Sequence, residues 1–240
     1  MDKPQPITAN VGKELEINVG DKRFIRIPIR THLIKKEDNI IDVALKYLKD
    51  KICEGDIVFM SEKIVAITQG RAIPLNKIKP RPLATFLARY VTKTTAGIGL
   101  GMPETMEMAL RECGVFRILF AAVIAAITKI IFRRKGDFYR IAGSKARAID
   151  GPTSGTIPPY NSHVVLGPID PNGVAKEISS ALGGIRVVIS DINDLGGNIL
   201  GGSHDDIDFG EIVQILEDNP LGQGREQTPI GIIREVLNNS

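Results

Sequence analysis

Apolar and polar positions alternate from Glu14 to Arg30, and the alternation breaks once, at Gly20-Asp21. A period of two marks a strand with one covered face, and a Gly-Asp pair at the break predicts a β-hairpin. "THLIKKED" (31–38) follows as a loop. The period then changes. Ile41, Ala44, Leu45, Leu48 and Ile52 follow the three-and-four spacing of one helix face, with Asp38 placed to cap the helix and Gly55 to stop it. The run "DIVFMSEKIVAIT" (56–68) is apolar on both sides of a polar trio, Ser61-Glu62-Lys63. It predicts a strand, a break, and then a second strand or a short helix. "TQGRAI" is a turn into another short strand.

The middle of the chain reads as helices. "RPLATFLARYV" (81–91) and "MPETMEMALREC" (102–113) have helical patterns, the second with Pro103 in its first turn and Glu104 and Glu107 near its positive end. An apolar helix is expected over 115–132, and "DFYRIA" (137–142) reads as a strand. The Gly- and Pro-rich run "DGPTSGTIPPYNS" (150–162) reads as a loop or linker. Beyond it come a strand, "HVVLGPI", a type I turn, "DPNG", a helix, "VAKEISSAL", and a strand, "IRVVISDI". Residues 163–191 therefore read as one β-turn-α-β unit. A helix at "GEIVQILED" (210–218) and a strand at "PIGIIREV" (229–236) close the chain. The pattern predicts an α+β fold of mixed sheets with packed helices. It reads as a single domain, with two lobes that would meet near 150–162.

Composition narrows the function classes. The chain is 43% hydrophobic and 25% charged, as ordinary soluble globular domains are. A net charge of +3 gives no reason to expect a nucleic-acid or membrane partner. Cys53 and Cys113 stand far apart without a CxxC spacing, which argues against a disulfide framework or a zinc ribbon. The start of the chain has no apolar signal segment, so a cytoplasmic location is expected. The apolar run 118–132 is preceded by Arg117 and broken by Lys129, too short to span a bilayer, and reads as a core or dimer-interface helix.

Candidate chemistry concentrates in "SDINDLGGNILGGSHDDID" (190–208). Asp191 stands where the strand "RVVIS" ends, a place where α/β proteins commonly bind ligands. Asn193 and Asp194 follow within three positions, and such oxygen donors suit Mg²⁺ or Mn²⁺ held together with substrate phosphates. Gly196-Gly197 and Gly201-Gly202 would let backbone N–H groups approach phosphate oxygens. His204, Asp205, Asp206 and Asp208 are further possible ligands. The competing reading is a solvated turn. Lys63 of the Ser61-Glu62-Lys63 trio can meet a phosphate as a point charge, or the trio can be a solvated turn. Tyr160, Asn161, Ser162 and His163 form a third polar group beside Pro158-Pro159, either a ligand loop or a plain linker. No Walker A loop, GxGxxG or GxSxG elbow occurs.

Three of these segments, in order, resemble the coenzyme F-420-0:L-glutamate ligase (gamma-glutamyl ligase) family. They are "GDIVFMSEKIVAITQGR", "LGPIDPNGVAKEI" with "RVVISDINDLGGN", and "LGQGREQTPIGIIR". The resemblance implies an unusual α+β fold in an intertwined homodimer. It also implies a ligase that uses GTP (or ATP) and Mg²⁺ or Mn²⁺ to activate a carboxylate as an acyl phosphate and join it to glutamate or a similar amine. The expected reactants are a small-molecule or peptide carboxylate and an amino acid. Carried over, Asp191 matches the family's metal-binding aspartate, and Ser61, Glu62 and Lys63 match its nucleotide-contacting segment. Asp194 stands where the family has a nucleotide-contacting glycine, beside Gly196 and Gly197. Thr31, His32, Leu33 and Ile34 stand at its early nucleotide loop. The family's adjacent Asp-Glu metal pair has only Asp208 and Glu211 as counterparts, with Asn193 an added candidate ligand. The family's substrate-facing loops are rebuilt here, so a different acceptor is expected. A non-catalytic nucleotide- or metabolite-binding module of the same fold is the alternative. No catalytic residue is assigned.

Overall fold

The computed structural model describes residues 8–91, 99–133, 136–193, 196–222 and 224–236. In chain order come β1 (Glu16–Val19), β2 (Lys22–Ile29), α1 (Ile40–Leu48), β3 (Ile57–Ser61) and α2 (Glu62–Thr68). Then follow β4 (Ala72–Pro74), α3 (Pro82–Ala88), α4 (Pro103–Cys113), α5 (Val115–Phe132), α6 (Asp137–Ala142), α7 (Ser144–Arg147) and β5 (His163–Val165). The chain closes with α8 (Pro171–Ala181), β6 (Arg186–Asn193), β7 (Gly196–Gly202), α9 (Phe209–Ile215) and β8 (Ile230–Val236). It forms two compact units. The first is built from residues 1–69 and 168–240, the second from residues 70–167. The class is α+β, and residues 150–162 lie inside the second unit.

The first unit is a six-stranded sheet in the order β1-β2-β8-β3-β6-β7. β3 and β6 run parallel, and the other pairs are antiparallel. Helix α9 touches both edge strands, β1 and β7, so the sheet curls around it. Successive strand residues face opposite sides. Phe24, Phe59, Val188 and Ile233 pack with Ile212, Ile215 and Leu216 of the α9 segment. Their neighbours Val58, Met60, Val187, Ile189 and Ile232 are buried as well, so the central strands are covered on both faces. This is why "DIVFM" and "RVVIS" read as unbroken apolar runs. Gly231 lets the Phe59 ring lie on β8, because a Cβ there would sit 2.2 Å from Phe59 Cζ. Arg26, on β2, is turned inward. It donates to the Ile215 and Glu14 carbonyls and pairs with Asp218. Arg234 holds Asp56 in a fork of two bonds, at 2.8 and 2.7 Å.

The second unit packs α3–α7 and the β4–β5 pair around its own core, which includes Leu100, Met106, Leu110, Ile118, Ala121 and Val164. Buried Glu107 of α4 accepts from the Arg81 and Arg111 guanidinium groups and from the Arg81 backbone N–H, so it fixes the start of α3 against α4.

Several local expectations change. Asn39, not Asp38, caps α1, accepting from the Ile41 and Asp42 N–H groups. Asp38 instead accepts from the Lys35 N–H and lies 3.1 Å from His32 Nε2. α1 ends at Leu48, well before Gly55. "DFYRIA" is helix α6, not a strand, because six residues are too few to separate a period of two from 3.6. "DPNG" is not a free turn but the start of α8, with Asp170 as cap accepting from the Gly173 N–H. The β-turn-α-β unit does not form, since β5 pairs with β4 in the second unit while β6 joins the main sheet. The glycine-rich stretch after Asp191 is no open loop: β6 continues to Asn193 and β7 begins at Gly196. Helix α5 is only half a core helix, for one face is exposed. Among the described residues, no single helix is long and apolar enough to cross a membrane.

Candidate functional site

In the first unit, the carboxyl ends of β3 and β6 lie side by side, Ser61 opposite Ser190. The Ser190 hydroxyl donates to the Met60 carbonyl at 3.3 Å. The Ser61 N–H donates to the Pro229 carbonyl and the Thr31 N–H to the Gln227 carbonyl, both at 2.9 Å. The segment that leads into β8 thus ties together the ends of β2 and β3. Asp191 follows Ser190 directly, so it rises from the same rim. Carboxyl ends of parallel strands are where such sheets leave backbone and side chains free for ligands.

Most of the expected residues gather here. Ser61 ends β3 and caps α2, its hydroxyl accepting from the Lys63 N–H at 3.3 Å. Glu62 is buried and Lys63 half-buried. Asp191 and Asn193 are two apart on β6, so their side chains leave the same face of the strand. Across the hairpin, Asp191 lies opposite Asn198, Ile192 opposite Gly197 and Asn193 opposite Gly196. Asp194 lies outside the described residues. Thr31 and His32 start the loop after β2, at the same end of the sheet. Both ring nitrogens of His32 are engaged, with the Tyr47 hydroxyl at 2.9 Å and with Asp38. Burial pushes the Asp38 carboxyl up, but the Lys35 N–H and the His32 ring outweigh it and leave it below the ordinary carboxylate range. These bonds pin the loop from within the chain.

Asp208 and Glu211 are elsewhere. β7 returns to the amino end of β6, where Arg186 pairs with Asp206 at 2.5 Å. Asp191 stands five residues further along β6, roughly 16 Å away at strand rise. Asp208 caps α9, accepting from the Gly210 and Glu211 N–H groups. Glu211 pairs with Lys22 at 2.8 Å, and its hydrogen bond raises the Lys22 pKa. These residues line an open depression of about 430 Å³ beside the β1–β2 turn. One ion cannot bridge both ends of β6.

The paired glycines divide in the same way. Gly201 and Gly202 serve packing: a Cβ on Gly201 would lie 2.7 Å from the Asn172 nitrogen, and one on Gly202 would lie 2.8 Å from the Phe209 ring. The Gly202 N–H is already given to Asn172 Oδ1. Gly197 sits tight against Ile192, whereas a Cβ on Gly196 would meet nothing within 4 Å. In the second unit, Ser162 and His163 bond within their own segment. Ser162 donates to the Pro159 carbonyl and the His163 ring lies 2.8 Å from the same oxygen. The rim contributions of Ser190 and the 227–229 backbone were invisible in the sequence. Only the position of Ser190 before Asp191, at a strand end, could have signalled the first.

Among the described residues, no three His, Cys, Asp or Glu side chains are grouped to hold a metal ion. The donors at the rim are hard oxygens, the Asp191 carboxylate and the Asn193 amide. That set fits Mg²⁺ or Mn²⁺ of the kind that keeps waters and takes further ligands from a phosphate chain. It does not fit a closed all-protein cage.

An uncharacterized protein of Methanocaldococcus jannaschii, MJ1361, is 38% identical over 77 residues. The match takes in 31% of this chain and 26% of that protein, so the chain spans about a quarter of the relative's length. Residues 28–196 match the model of a family described as F420-0:Gamma-glutamyl ligase. The matched stretch begins in β2, contains Ser61-Glu62-Lys63 and Asp191, and stops where β7 begins, before Asp208 and Glu211. With more than two thirds of its length and the rim residues of β3 and β6 inside that match, the chain belongs to the F420-0:Gamma-glutamyl ligase family.

Proposed function

We propose that this chain is an amide ligase that uses a nucleoside triphosphate and a divalent metal to join a carboxylate to glutamate or a similar amine. The observation that carries this reading is the meeting of Ser61-Glu62-Lys63 with Asp191 and Asn193 at the carboxyl ends of β3 and β6, inside the family-matched stretch. Asp191 and Asn193 would hold Mg²⁺ or Mn²⁺, which when bound offsets the negative charge of the triphosphate. Lys63 supplies a positive charge to the phosphates, and Gly196 leaves room for a phosphate oxygen beside the hairpin. In the reaction, a carboxylate oxygen of the acceptor attacks the terminal phosphorus and the nucleoside diphosphate leaves. The amine then attacks the acyl phosphate carbon, loses a proton, and displaces inorganic phosphate. The protein's part is to position these groups and exclude water.

Isothermal titration of GTP and of ATP with Mg²⁺ or Mn²⁺, on the wild type and on Asp191→Ala, tests the reading. The wild type is expected to bind one nucleotide in a metal-dependent way, and the variant to lose on the order of tenfold or more in affinity. Unchanged binding in Asp191→Ala, or none in the wild type, ends the proposal. The separation of Asp208 and Glu211 from Asp191 favours a second reading, a nucleotide-binding module of the same fold without catalysis. Release of phosphate with a carboxylate and glutamate present decides between the two.

A further inference from the structure

The small net charge of the chain hides a division. Residues 70–167 carry 15 Lys and Arg against 5 Asp and Glu, a formal +10, which leaves 16 against 23, or −7, for the rest. Helix α5 belongs to this basic unit. Its inner face packs into the unit's core through Ile118 and Ala121, both fully buried. Its outer face is apolar too. Phe116, Phe120, Val123, Ile127, Ile130 and Ile131 are between 43% and 90% exposed, and they make up six of the eleven exposed large apolar side chains among the described residues. They recur at steps of four and three, so they form one stripe along the helix. A helix that is apolar all round is normally covered on all sides.

The charges around the stripe say what covers it. At 100° per residue, exposed Arg117 and Arg133 flank the stripe on its two sides, while exposed Lys129 lies across the helix from it, and no Asp or Glu occurs between Glu112 and Asp137. Those two flanking acids are already paired, with Arg71 at 2.7 Å and with Arg140 at 3.1 Å. A second copy docked through the same stripe would bring like charges to a shared rim with no acid to answer them. A nucleic acid would match the charge and leave the six apolar side chains against phosphate and sugar. An anionic bilayer surface matches both, taking the apolar stripe among its acyl chains and the basic side chains among its headgroups.

We propose that the outer face of α5 docks this protein on the surface of a membrane bearing anionic lipids, as a peripheral contact that does not span the bilayer. This goes beyond the ligase reading and does not depend on it. Flotation of the full chain with vesicles tests it, using phosphatidylcholine alone or phosphatidylcholine and phosphatidylglycerol in equal parts. The wild type is expected to float with the mixed vesicles on the order of tenfold better than with the neutral ones. Binding should fall between about 0.1 M and about 0.5 M salt. Phe120→Ser with Ile127→Ser should remove binding at an unchanged melting temperature. Arg133→Glu, a single exposed charge at the flank of the stripe, should weaken it on mixed vesicles alone, which keeps the test alive if the double variant fails to fold. A wild type that stays behind, or a folded double variant that floats as well as the wild type, overturns the proposal. So does a wild-type dimer that the double variant makes monomeric without any vesicle binding, which would give the face to a second copy.

Discussion

At Gly197 a single hydrogen sets the geometry of the rim. A Cβ there would lie 2.5 Å from Ile192 Cγ1 and 2.8 Å from the Asp191 carbonyl oxygen. Both neighbours belong to the strand that carries Asp191, so the extra methyl must push the aspartate or open the hairpin. Gly197→Ala is expected to cost about 1–3 kcal/mol, as overpacking does, and to weaken metal-dependent nucleotide binding along with stability. Thermal denaturation followed by circular dichroism, paired with titration, checks both. Gly155→Ala is the control, since a Cβ at Gly155 meets nothing within 4 Å and should change neither. The sequence flagged Gly196-Gly197 and Gly201-Gly202 alike as phosphate-facing pairs. It could not separate them, because what distinguishes the open Gly196 from Gly202, closed by the Phe209 ring, is a tertiary contact.

Between elements, Glu107 is the clearest tie. Its burial pushes the carboxyl up, but the hydrogen bonds of Arg81 and then Arg111 outweigh that and hold it below the ordinary glutamate value. A group depressed by folding stabilises the fold above its unfolded pKa, and the stabilisation is lost as pH falls through the folded value. Glu107→Gln should therefore lower stability near neutral pH by about 1–3 kcal/mol, the range for a broken charged hydrogen bond. The gap to the wild type should close as pH drops below the ordinary glutamate value. Urea unfolding of both proteins across that window measures it, and a gap independent of pH would show that Glu107 acts through shape alone. The pattern of the sequence placed α4 and α3 correctly but read Glu107 as a charge favouring its own helix end. Its actual partners include Arg81, twenty-six residues away.

For the molecule as a whole, the second unit is an insertion, and the first is closed without it. The Gln69 side chain bonds both the N–H and the carbonyl of Ile169, at 2.7 and 2.8 Å, so the two points where the chain leaves and rejoins the first unit are held together. Deleting residues 70–167 and joining Gln69 to Pro168 through a short glycine linker should leave a folded sheet with its rim intact. A dispersed amide spectrum and a cooperative melt are the expected result, and a collapsed spectrum would show that the sheet needs the insertion. The sequence marked residues 150–162 as the natural break because glycines and prolines cluster there. Those residues lie within the second unit, and composition alone does not show where contacts stop crossing.

What the sequence determined by itself was local or tied to neighbours in the chain: the β1–β2 hairpin, the helical middle, the unbroken apolar runs of β3 and β6, and the placing of Ser61-Glu62-Lys63 where β3 ends; Asp191 stands two residues inside the end of β6. Hydrophobic period and strand-end position are written in consecutive residues. The tertiary structure decided everything that depended on which strands meet. It set β3 beside β6 in parallel, so that two distant polar segments share one rim, and it sent Asp208 and Glu211 to the other end because β7 runs antiparallel to β6. It also drew the border that turns a near-neutral chain into one basic and one acidic unit, since charge is summed over a surface and surfaces are made by folding.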